Sequence, residues 1–244
     1  MIPDKNILFD EKRLWGNTKF WGSLLMLLSF GFSYMIVIHL AEGGDVTWFS
    51  MFFLYLFAYF YGGWQGMLFA VGFGVLKFFG DMYCGLLDTG HMTAEMLDYL
   101  ISYGIVGAGG FFSQGMIRDS RKKKGDKKSE EKSIKKRGVY VESIVASDDY
   151  QVGSPQENYA LKIGYGIAML LRFISSTVIC IVFYYRPENS FIKNLTEGVV
   201  YTLAYVGVET VLTYLLLLFP WVCSATEYCK YVATHNYDPD LKTY

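Results

Sequence analysis

Residues 91–116 read HMTAEMLDYLISYGIVGAGGFFSQGM. The stretch is apolar and long enough to cross a bilayer, for which about 20 predominantly apolar residues suffice. Its two halves differ. The first carries an acid–aromatic pair, Asp98-Tyr99, with Tyr103 one turn on. The second carries Gly104, Gly107, Gly109 and Gly110, small residues that let neighbouring helices approach closely. One half therefore reads as chemistry and the other as packing. The other apolar segments are expected to surround this one and to complete a pocket at its Asp98 end.

Working outward, five more apolar segments appear. They run Phe20–Ala41, Trp48–Tyr61, Met67–Tyr83, Tyr159–Tyr185 and Val199–Val222, with Gly62–Gly66 read as a tight turn. Such runs exceed what soluble helices need, so the fold class is all-α integral membrane with six transmembrane helices. The expected division is an N-terminal segment 1–19, helices one to four in 20–117 and a loop at 118–158. Helices five and six follow in 159–222, then a tail at 223–244.

Charge sets the orientation. The formal net charge is only −1, but 11 of the 22 Lys and Arg lie between Arg118 and Arg137. A run so polar cannot bury a core and reads as a flexible loop. With Lys5, Lys12, Arg13 and Lys19 on the same side of an even number of spans, the positive-inside rule places both termini and this loop in the cytoplasm. The protein is then a multi-pass cell-membrane protein whose Asp98 end faces outward. A basic loop beside the inner leaflet meets anionic lipid rather than nucleic acid. No cleavable signal peptide is read at the N-terminus.

Ionisable residues inside spans are costly and point to sites. Four stand out: Lys77, Asp98, Arg172 and Glu209. Lys77 and Asp81 lie four apart and neutralise each other on one helix face. Arg172 and Glu209, in the middle of consecutive spans, either pair or line the site. Asp98 has no local cation, and a carboxylate beside aromatic rings suits a cationic or polar heteroaromatic ligand; the alternative is a solvated carboxylate at a helix entry, where the dipole favours it. Trp48, Tyr83, Tyr184, Tyr185 and Tyr201 fall toward the same side, where interfacial aromatics are also expected. Cys84, Cys180, Cys223 and Cys229 show no metal-ligand spacing, and no nucleophile or phosphate-loop motif is present. The chain is read as neither an enzyme nor a metal or cofactor protein.

AEMLDYLISYGIVGAGGFF resembles the fourth helix of the thiamine-specific substrate-binding (S) components of energy-coupling factor (ECF) transporters. The resemblance continues through Gly62–Gly66, MLLRFISSTVICIVFYY and GVVYTLAYVGVET. It implies an S-component-like six-helix bundle that takes up a vitamin, thiamine first. The implied partners are an ECF coupling subunit and two ATPase subunits. The family's Glu-Tyr pair falls on Asp98-Tyr99, its helix-five basic residue on Arg172 and the aromatic at that helix's outer end on Tyr184. Its helix-six tyrosine falls on Tyr201, and its helix-two tryptophan has a counterpart in Trp48. The family's pocket histidine falls on Ser176 and its asparagine on Val206, and the loop 118–158 has no counterpart. These departures leave open another vitamin-like ligand. A membrane scaffold recruiting a partner through the basic loop is the alternative of a different class. Ser29 and Ser33 offer the small-x-x-x-small spacing that the family uses on helix one toward its coupling subunit, with Gly22 as another anchor. The expected substrate-binding set is Asp98, Tyr99, Trp48, Arg172, Ser176, Tyr184, Tyr201 and Glu209.

Overall fold

The computed structural model describes residues 18–39, 45–87, 91–117, 155–184 and 186–234. The chain forms seven helices and one antiparallel strand pair among these residues. They are α1 (Thr18–Ser33), β1 (Ile36–His39), β2 (Asp45–Thr47), α2 (Ser50–Tyr61), α3 (Gly63–Cys84), α4 (Met92–Ile117), α5 (Pro155–Phe183), α6 (Phe191–Leu217) and α7 (Pro220–Thr234). Four of them, α3, α4, α6 and the Asn158–Phe183 part of α5, are long and apolar enough to cross a membrane. The apolar helix α2 has 12 residues, or about 18 Å at 1.5 Å per residue.

The shortest apolar helix is the one the others surround. From Met51 to Phe60, nearly every residue of α2 is buried, against α1, α3, α5 and α7. A helix apolar all round belongs at the centre. The expectation that the segment 91–116 is the hub is thus corrected, although α4 is the most buried of the four long helices. Its glycines do pack as expected: a methyl on Gly107 would run into the Gly66 backbone, so only glycine allows α3 and α4 to cross this closely. Leu68, Phe79, Leu170, Val178, Val200 and Val211 remain exposed on α3, α5 and α6, as lipid-facing side chains would be.

Several boundaries differ from the hydropathy reading. The first helix ends at Ser33 rather than reaching Ala41, and Ile36–His39 pairs with Asp45–Thr47. The β-branched run Ile36-Val37-Ile38 is as apolar as a membrane helix but favours extended backbone. The turn expected over Gly62–Gly66 is confined to Gly62, whose φ of 104° suits glycine, and α3 resumes at Gly63. Helix α6 starts at Phe191, inside the expected polar loop, because the Ser190 side chain accepts the Lys193 N–H at 3.3 Å as an N-cap. The expected tail contains α7, which opens on Pro220 and buries Val222, Cys223, Thr226, Glu227 and Ala233 at helical spacing. Ser29 and Ser33 are buried within the bundle, so the spacing expected to meet a partner subunit faces inward instead. The basic run Arg118–Arg137 and the segment 1–17 lie outside the described residues.

Candidate functional site

One end of the bundle gathers the C-terminal halves of α3 and α5 with the N-terminal halves of α4 and α6. Between them lies a cavity of about 900 Å³, part of it continuous with solvent. Each wall is a helix face read at four-residue spacing: Lys77 and Asp81 on α3, and Glu95 and Tyr99 on α4. Arg172, Ser176 and Cys180 come from α5, and Tyr201 and Tyr205 from α6. Thr47, at the end of β2, also lines it. Both α4 and α6 carry a π-turn here, at Asp98–Ser102 and Leu203–Gly207. Such turns shift a helix face by one residue and recur at functional sites.

Asp98 sits in the first π-turn. One of its carboxylate oxygens accepts hydroxyls from Ser102 at 2.6 Å and Ser176 at 2.7 Å. Ser175 in turn donates to Ser102 at 3.0 Å, so α5 grips the turn through two serines. The other Asp98 oxygen accepts no hydrogen bond among the described residues. The cations of the cavity are matched elsewhere. Lys77 Nζ lies 2.5 Å from Asp81, and Arg172 lies 3.8 Å from Glu209. Asp98 therefore has no ion-pair partner among the described residues. A partly buried carboxylate with one oxygen left to the cavity favours a cationic guest.

Arg172 is buried, with its guanidinium 4.6 Å from the Tyr103 ring centre and 6.0 Å from that of Tyr205. Its Nε and one Nη find no hydrogen-bond acceptor. Glu209 stands behind this wall and does not line the cavity. Its carboxylate accepts the Ser50 hydroxyl and the Met51 N–H, each at 3.0 Å, at the start of α2. An anion there satisfies N–H groups that a helix start leaves open. Ser50 also shares a 2.9 Å hydrogen bond with Thr47.

Of the eight residues expected from the sequence, the cavity brings together Asp98, Tyr99, Arg172, Ser176, Tyr184 and Tyr201. Tyr184 donates to Glu95 at 3.1 Å and stacks on His91, with ring centres 4.4 Å apart. Trp48 is next to the lining residue Thr47, partly exposed, with its ring on Phe49. The sequence reading missed Tyr205, Glu95 and Asp81 as lining residues. The four-residue steps Tyr201-Tyr205-Glu209 and Lys77-Asp81 were the available signal.

Residues 20–229 match the sequence model of a family described as Thiamine transporter protein (Thia_YuaJ). Among curated proteins, none matches the chain at a significant level.

Proposed function

The chain belongs to that thiamine transporter protein family, and from this premise we propose that it is the substrate-binding membrane subunit of an ECF-type vitamin uptake transporter, with thiamine as ligand. The observation that carries the reading is Asp98: a carboxylate in a cavity walled by tyrosines, with both lining cations already matched to other acids. Thiamine brings a permanent thiazolium cation and an aminopyrimidine, which suit a carboxylate and aromatic faces.

In this reading Asp98 is the anchor, Tyr99, Tyr184 and Tyr201 are walls, and Ser176 fixes the Asp98 carboxylate. Trp48 covers the rim, and Glu209 holds Arg172 in place. The cavity lies at the opposite end of the bundle from the α4–α5 connection, which carries the basic run. The positive-inside rule makes that connection and both termini cytoplasmic and the cavity outward-facing. Two shorter helices, α1 and α2, complete six spans. The chain itself performs no bond chemistry; a coupling subunit and two ATPases supply the energy for its change of orientation.

A second reading keeps the fold and changes the guest. Ser176 and Val206 stand where the resembling family has histidine and asparagine, and the Ser176 hydroxyl is spent on Asp98. A different cationic heteroaromatic vitamin would fit the same anchor. Calorimetric titration of the purified protein with thiamine, beside mass spectrometry of ligand released on denaturation, tests both. Saturable thiamine binding is expected. Co-purification of another metabolite with no thiamine binding would establish the second reading and overturn the first.

A further inference from the structure

The cavity holds a second aspartate, more deeply buried than Asp98 and different from it in role. Asp81 is 3% exposed and lines the wall contributed by α3. One of its oxygens takes the ammonium of Lys77 at 2.5 Å, and the other accepts the hydroxyl of Tyr99. Both oxygens are thus occupied by the protein, so Asp81 offers a guest no free lone-pair face comparable to that of Asp98. Lys77 is equally held, with its ammonium 4.0 Å from the Tyr34 ring centre, beyond the end of α1.

Tyr99 follows the anchor Asp98 in sequence and lines the same cavity. Its ring meets Phe78 at 5.9 Å and Tyr103 at 5.6 Å between centres. Its backbone carbonyl lies against Gly74 of α3, where any larger residue would collide. With the backbone pinned and two rings at its sides, the remaining freedom of Tyr99 is the swing of its ring about the Cα–Cβ bond. The hydroxyl bond to Asp81 ties down the far end of the ring and stops that swing.

We propose that Asp81, neutralised by Lys77, is a positioning residue that sets the Tyr99 ring as the aromatic wall of the site. This rests on the reading of the cavity as a thiamine site, and deepens it. The buried charge pair holds an aromatic ring in position, whereas a well-packed apolar pair would serve stability as well.

The test is a mutant cycle read by thiamine titration of the full-length protein in detergent. Lys77→Met with Asp81→Leu removes both charges and strands neither. This pair is expected to weaken thiamine binding by on the order of tenfold. Tyr99→Phe, which deletes the hydroxyl alone, should cost the same. The three changes together should cost no more than either set. Losses that multiply would mean that Asp81 or Lys77 touches the ligand directly, and no loss from the pair would leave it without a role in the site; either result overturns the proposal. A second measurement needs no ligand and no apolar pair: 3-fluorotyrosine at position 99 observed by fluorine resonance. Asp81→Asn should move or split its line, and Asp81→Glu should restore a single one. An unchanged line in Asp81→Asn overturns the proposal even if the protein binds no thiamine, an outcome that separately sinks the functional reading.

Discussion

The two ends of the bundle each hold an acid between helices, and they use it differently. At the cavity end, Asp98 takes two serine hydroxyls on one oxygen and faces open space with the rest of its carboxylate. At the far end, Glu227 of α7 is fully buried and accepts the hydroxyl of Tyr59, over whose ring the Lys230 ammonium lies at 3.8 Å. The first acid meets hydroxyls and a cavity, with no ion pair among the described residues; the second is roofed by an aromatic ring and a cation. Burial of a carboxylate inside a membrane protein is therefore no sufficient sign of a binding site. What separates a site from a strut is whether the polar face is left open to a cavity.

The largest test of this contrast lies between the two ends. Glu209→Gln leaves the buried Arg172 cation unmatched, and removing one partner of a buried ion pair costs roughly 3–5 kcal/mol. Thermal unfolding in detergent should show a large loss of stability, partly recovered when Arg172→Met is added. Asp98→Asn comes next. Removing a charge-assisted hydrogen bond costs about 1.5–3 kcal/mol, so thiamine affinity should fall on the order of 10- to 100-fold. The thiazolium charge is permanent, so this ratio should persist at alkaline pH; equal affinities would remove Asp98 from the site. At the far end, Tyr59→Phe takes a donor from buried Glu227 and should cost about 1–3 kcal/mol of stability. Its thiamine affinity should stay unchanged, and a parallel loss of affinity would erase the distinction between the ends. The smallest effect is expected from replacing residues 120–154 by a short Gly/Ser linker, which should leave affinity within a few fold. A cysteine placed at position 130 should resist impermeant reagents applied to intact cells.

Much of this arrangement is legible from residue types alone. The acid–tyrosine pair and the glycine run of α4 show in the sequence, and the structure puts them where expected, at the cavity and at the Gly66–Gly107 crossing. Hydropathy could not show that Ile36–His39 is a strand, because it scores apolar character and not backbone preference. It passed over α7 because every third or fourth residue is buried there while the rest, such as Trp221 and Tyr228, stay exposed. Asp81 was legible as the partner of Lys77 but not as the acceptor for Tyr99, since that contact joins two helices whose facing sides no single segment encodes. Tyr205 was within reach: it lies one four-residue step beyond Tyr201 on the same helix, and both line the cavity.

The π-turn at Asp98–Ser102 makes α4 a helix with one residue too many at a chosen depth. Deleting a single residue within it would let a regular helix close over the same span, because such a turn absorbs its extra residue locally. The glycine seam with α3, downstream at Gly107, would keep its register. What would change is the turn itself, where Ser175 and Ser176 of α5 hold Ser102 and Asp98. An insertion or deletion of one residue at this depth thus rewrites the cavity wall and leaves the packing surface below it intact.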